Sequence, residues 1–271
     1  MSTVKLELIS QPESVTLVRS VLAGVADLLG FDPELLHNLK AVVNEACNNV
    51  VLHAYDAEPG PLAVSLEIGQ DEVEATVRDW GRGIRSVAPS EDRIHVGLAI
   101  ISALADRVQF VHAADGGTEV RMAFTVCRGI RTVEPETATQ PAVPVSLSGD
   151  AVASISPVGL LAGVLGRLAT ALAARARFSL DRFCDVYLVA DVVAAHAGAA
   201  ASSDSLSFAV AGRDRKLEIA VGPFPSGSGP ELPQAAGFDQ LSSALSMLGV
   251  DLALEPVGDA EIWRVVVADH P

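Results

Sequence analysis

The sequence predicts an α/β fold of the α+β kind, a two-layer sandwich in which helices cover one face of a mixed sheet, built twice in tandem. Three observations carry this prediction. Residues 1–128 read in the order βααββαββ, so that strands from both ends enclose the helices. The same order returns after a proline-rich break. Of the 271 residues, 49 % are hydrophobic and 20 % charged, which gives each half apolar material for a core and excludes a disordered or fibrous chain.

VKLELI alternates as a strand, and Pro12 to Leu29 carries apolar residues at helical spacing, with Ser14 as its expected cap. A second helix runs from Pro33 to about His53, and Asp32 immediately before Pro33 supplies the cap and first-turn signal. PLAVSLEIG and EVEATVRDW are strands, followed by a glycine-containing loop. A helix from Val96 to about Asp106 and the strands RVQFVHA and TEVRMAFTV complete the half, with Asp115-Gly116-Gly117-Thr118 as a tight hairpin turn between those strands. Residues 129–150, with four prolines and little helical period, read as a linker. In residues 151–271 AVASISPVGLL stands where KLELISQPESV stood, LSFAVAG and KLEIAVG form the strand pair, and EIWRVVVA closes as TEVRMAFTV did. A period of roughly 145 residues fits two copies of one domain.

Nineteen Lys and Arg against thirty-four Asp and Glu leave a net charge of −15, shared as −8 before residue 129 and −7 after it. Uniform acidity repels a polyanion and excludes direct nucleic-acid binding. Cys47, Cys127 and Cys184 are an odd number without CxxC spacing and read as reduced core residues of a cytoplasmic protein. The N-terminus lacks a signal-peptide pattern. The most apolar stretch, Ala151 to Ala176, is interrupted by Pro157, Arg167 and Arg175, so no membrane span is expected.

Chemistry concentrates in the first half. Glu45, Asn49 and His53 stand four apart and share one stripe of their helix, opposite Leu39, Val42, Val43, Ala46 and Val50, which face a core. Such a stripe is also what an ordinary solvated face looks like, and His53 reads as a helix-end residue. Some thirty residues on, the strand VRD ends in Asp79 and opens into Gly81 and Gly83. A carboxylate at a strand end can accept from an exocyclic amine, and glycines let a ligand approach the backbone. Gly97 and Leu98 are expected to open the next helix, whose free amides can hold phosphate. Thr118 begins the last strand.

Taken together, the helix E-x-x-x-N-x-x-x-H-A, the strand-end D-x-G-x-G, the G-L and the hairpin G-G-T resemble the GHKL superfamily of ATP-binding domains (gyrase, heat-shock chaperone, histidine kinase, MutL), which carry the Bergerat fold. Residues 1 to about 127 are most similar to the anti-sigma-factor serine kinases of the RsbW and SpoIIAB type, whose start is echoed by PESVTLVRS. The resemblance implies that Asp79 binds the adenine amino group with Thr118 beside it, that Gly81, Gly83, Gly97 and Leu98 line the nucleotide, that Asn49 holds Mg²⁺ and that Glu45 is the general base. It further implies an ATP-dependent serine/threonine kinase and anti-sigma factor in bacterial transcription regulation, with a sigma factor and a STAS-type anti-anti-sigma protein as partners. Arg19 matches a sigma-contacting position of that family.

Departures from the pattern are expected to matter. Only thirteen residues separate Gly83 from Gly97, and His95, Val96 and Ala99 stand where relatives commonly have glycine or arginine, which implies a stiffer lid. In the second half Val192 takes the place of Glu45, His196 that of Asn49 and Gly222 that of Asp79, so that copy keeps the fold without the nucleotide site. A non-catalytic, nucleotide-dependent binding module is therefore the alternative reading. Family kinases of this type are homodimers, and the second half is expected to replace the missing subunit in an intramolecular pseudo-dimer.

Overall fold

Strict alternation places the first strand. In β1 (Ser2–Ile9) Val4, Leu6 and Leu8 are buried while Lys5, Glu7 and Ile9 are exposed, so one face meets a core and the other meets water. The computed structural model describes residues 1–56, 58–82, 92–127, 129–131, 133, 146–225, 246 and 250–269. The chain divides into two compact units, Met1–Thr132 and Val133–Pro271.

In the first unit β1 pairs antiparallel with β2 (Pro61–Ile68), β2 with β3 (Glu72–Asp79), β3 with β5 (Thr118–Thr125) and β5 with β4 (Arg107–His112). The strand order is β4-β5-β3-β2-β1. The register aligns Leu6 with Val64, Val64 with Val77, and Ala75 with Met122, so the apolar residues form one continuous face. Helices α1 (Pro12–Leu29) and α2 (Pro33–Asn49) supply the covering layer through Val18, Leu22, Val25, Leu39, Val42 and Val43, all at most 2 % exposed. Each such side chain removed from water stabilises the unit by about 1.5–3 kcal/mol. Asp32 caps α2, accepting from the N–H groups of Glu34 and Leu35 at 3.0 Å each. Ser14 does not cap α1. Gln11 holds the N-cap position, Pro12 fixes the first turn, and the buried Ser14 hydroxyl donates back to Ile9 O at 2.6 Å. A π-helical turn, Val50–Ala54, continues α2.

Two sequence expectations need correction here. Helix α3 (Asp92–Leu104) begins four residues before Val96, because the run from Asp92 contains no helix breaker until Gly97. Of the cysteines only Cys47 is a core residue. Cys127 follows the end of β5, and Cys184 lies on the outer side of its helix, so both are exposed.

The second unit starts with β6 (Ala151–Ser156), a 3₁₀ turn at Val158–Leu160, α4 (Leu161–Arg175) and α5 (Leu180–Ala200). Strands β7 (Leu206–Arg213), β8 (Lys216–Pro225), β9 (Val250–Val257) and β10 (Ala260–Ala268) complete its sheet in the order β6-β7-β8-β10-β9. With β6 to β10 set against β1 to β5, each unit joins its strands in the same sequence, and each inserts two helices after its first strand. Phe208, Leu165, Leu172, Val221 and Val265 fill the core, and Phe224 stacks on Trp263 at 4.1 Å. Val158–Arg175 and Leu180–Ala200 are long and apolar enough to cross a membrane, although α4 packs against β7, β8 and α5.

The expected linker 129–150 is tied at both ends. Arg131 N–H donates to Leu29 O at 2.8 Å in the first unit, and Asp150 N–H donates to Val210 O at 3.0 Å in the second.

Candidate nucleotide site

Asp79 ends β3 on the helix-facing side and is 5 % exposed. Its Oδ1 accepts from the Gly81 N–H at 2.8 Å, and the Thr118 N–H donates to the same carboxyl. Burial pushes its pKa above the ordinary carboxylate value, and the two N–H donors, Arg78 and His112 only partly offset this. One step beyond the Arg78–Glu119 pair, Asp79 lies opposite Thr118, which in turn lies opposite His112. The three form a row across three strands on one face of the sheet.

Glycine is forced at two positions around this carboxyl. A Cβ on Gly81 would sit 2.1 Å from Ala54 O, and one on Gly117 would sit 2.1 Å from Asp79 O, with Gly117 also at φ +82°. The loop after Asp79 is stitched to the π-helical turn. Arg82 N–H donates to Ala54 O at 3.0 Å, Trp80 N–H donates to the Tyr55 hydroxyl at 2.9 Å, and that hydroxyl donates to Pro61 O at 2.6 Å. Arg82 also pairs with Asp56.

Glu45 and Asn49 meet α3. A Cβ on buried Gly97 would lie 3.1 Å from Glu45 Oε2 and 3.6 Å from Asn49 Oδ1, so the missing side chain is what lets the polar stripe approach this helix. Gly97 is the sixth residue of α3 and Leu98 the seventh, beyond the four free N–H groups of a helix start. The expectation that their amides open the helix and face phosphate is therefore corrected. Gly83 lies outside the described residues. His53 falls in the π-helical turn and is exposed, as a helix-end residue should be. Ala54 and Gly117 fall within the H-A and G-G-T motifs read from the sequence, whereas Tyr55 and His112 are additions of the structure. The strand register around the hairpin was the only sequence signal for His112, and nothing local marked Tyr55.

Comparison with known proteins decides the affiliation. The histidine kinase-like ATPase domain family matches residues 8–124. The serine-protein kinase RsbW of Bacillus thuringiensis subsp. konkukian is 31 % identical over 133 residues, covering 44 % of this chain and 82 % of that protein. The RsbW of Bacillus cereus (strain Q1) is 32 % identical over 133 residues, with the same coverage of each chain. The chain belongs to the RsbW family. The solved RsbU and RsbW domains of Rv1364c from Mycobacterium tuberculosis match 48 % of the chain and 34 % of their own, at 23 % identity and a TM-score of 0.36.

Within this RsbW-family unit the site offers a buried acceptor at a strand end, two backbone donors that hold it, and a carboxylate and an amide on one helix face. Hard oxygen donors such as Asn49 Oδ1 beside Glu45 suit Mg²⁺, which takes carboxylate and amide oxygens and keeps several waters. The residues that the sequence reading sets against Glu45, Asn49 and Asp79 differ in chemistry. Val192 carries no acid, His196 Nδ1 donates to Val192 O in its own helix at 3.0 Å, and Gly222 has no side chain.

Proposed function

We propose that this RsbW-family chain is an ATP-dependent serine/threonine kinase and anti-sigma factor of a cytoplasmic partner-switching system, which phosphorylates an anti-anti-sigma protein of STAS type and holds a sigma factor. The observation that carries the reading is Asp79, a buried carboxylate with a fixed orientation at the mouth of a β-strand. Asp79 accepts from the adenine amino group with Thr118 beside it. Gly81, Gly83, Gly97 and Leu98 lie along the nucleotide. Asn49 holds Mg²⁺, which neutralises phosphate charge when bound. Glu45 takes the proton from the attacking serine hydroxyl, and Arg19, exposed on α1, faces the sigma factor. The second half stands in for the second subunit of a homodimer, so the full chain works alone.

One observation favours a non-catalytic, nucleotide-dependent binding module instead. With α3 starting at Asp92, the Gly97 amide is spent inside the helix and fewer backbone donors remain for the terminal phosphate. A phosphotransfer assay with radiolabelled ATP, Mg²⁺ and candidate anti-anti-sigma proteins separates the two. The kinase reading expects transfer to a serine or threonine, slowed about 10²–10⁴-fold in Glu45→Gln with ATP binding retained. ATP binding without transfer to any partner would give the module.

A further inference from the structure

The second unit is acidic, yet five of the eight Lys and Arg in residues 133–271 gather at one place: Arg175, Arg177, Arg213, Arg215 and Lys216. The first four line an open concavity of about 790 Å³ between the end of α4 and the β7–β8 turn. Asp214 is the one acidic residue of its lining.

Backbone ties fasten the segments that carry these side chains. Arg215 N–H donates to Ala176 O at 2.9 Å, which fastens the turn to the helix end. Gly212 N–H donates to Asp150 Oδ2 at 2.8 Å, and a Cβ on Gly212 would sit 2.9 Å from Leu172 O, so strand and helix backbones touch. The carbonyls at the end of α4 are spent internally, Leu172 on Ala176 N–H, Ala173 on Phe178 N–H and Ala174 on Arg177 N–H. Four carbonyls at this helix end, counting Ala176 O, are thus already paired, and four arginines line the concavity. Arg175 pairs with Asp150, and Arg215 with Asp269 at 2.8 Å. Arg177 and Arg213 are exposed and have no carboxylate partner among the described residues.

We propose that this concavity is a binding site for a phosphate monoester dianion. Two unpaired guanidiniums at one concave spot offer forked donors matched to the oxygens of a phosphate. The net charge of the chain, −15, repels a long polyanion, but at physiological salt it is screened beyond about 8 Å, so a compact dianion responds to the local arginines. Nucleic acid is thereby disfavoured and a single phosphate group favoured, carried by a free small molecule or by a protein side chain. Every residue that lines the concavity belongs to the second unit.

Calorimetric titration of the full chain with inorganic phosphate, a serine-phosphorylated peptide and its unphosphorylated form tests this. Saturable binding of phosphate, of the phosphopeptide or of both is expected, weakened roughly tenfold in Arg213→Ala and further in Arg177→Ala/Arg213→Ala. Tighter binding of the phosphopeptide assigns a protein-borne phosphate, and equal binding assigns a free one. Arg213 is exposed at a strand end, so its single variant keeps the fold and gives the reading by itself. No saturable binding, equal affinity in parent and variants, or equal affinity for the unphosphorylated peptide overturns the proposal.

Discussion

At the scale of single residues, Asp79 links stability and ligand binding with opposite signs. Its raised pKa means that the native state keeps the proton over a window in which the unfolded chain has lost it, so its contribution to stability falls as pH rises through that window. Nucleotide binding requires the ionised acceptor and runs the other way. ATP affinity measured by calorimetry is therefore expected to fall on acidification at a higher pH than an ordinary aspartate would give. Asp79→Asn should remove this dependence and weaken binding by about 1–3 kcal/mol, the cost of an unmatched buried polar partner. Burial has a simpler effect on Cys47, whose thiol it pushes up to about 12. Iodoacetamide is expected to label two cysteines in the native chain, Cys127 and Cys184, and a third only after denaturation. Mass spectrometry that finds Cys47 modified in the native protein would contradict this. The residue types at the site were legible in sequence, since Glu45, Asn49 and Asp79 stand in a recurrent pattern. The exposure of Cys127 and Cys184 was not, because an apolar neighbourhood in sequence does not say which side of an element meets water.

Among the elements, three glycines separate packing from positioning. At Gly81 and Gly117 an added Cβ would meet backbone oxygen at 2.1 Å, which cannot yield without moving β3 or the π-helical turn. Gly81→Ala or Gly117→Ala is expected to destabilise the unit by about 1–3 kcal/mol in urea titrations and to displace Asp79. Gly97 differs, because its closest neighbours are the ends of the Glu45 and Asn49 side chains, which can swing away. Gly97→Ala should leave the urea midpoint nearly unchanged while lowering phosphotransfer or ATP affinity; a large stability loss with normal ATP binding would reverse that assignment. The caps of α2 and the alternation of β1 were legible because both are local rules, a side chain bonding its own turn and a period of two. The start of α3 was misplaced since a glycine reads as a boundary locally. Here the space beside Glu45 and Asn49, rather than the end of a helix, is what calls for it.

For the whole molecule, the proposed division of labour predicts one ATP per chain and a monomeric mass by light scattering, with residues 1–132 alone forming dimers. A stoichiometry of two nucleotides, or a stable dimer of the full chain, would refute it. The sequence by itself determined the α/β class, the order of elements in the first half, the order of the described elements in the second, and the spacing of Glu45, Asn49 and Asp79. These are set by hydrophobic period, turn residues and short spacings, all of which act over a few neighbours along the chain. Only the tertiary structure decided that Gly97 makes room inside α3, that Thr118 and Gly81 both hold Asp79 through their N–H groups, and that arginines some forty residues apart line one concavity. Those facts depend on strand register and on which helix lies over which strand, and a chain encodes such distant contacts only through the packing of the completed core.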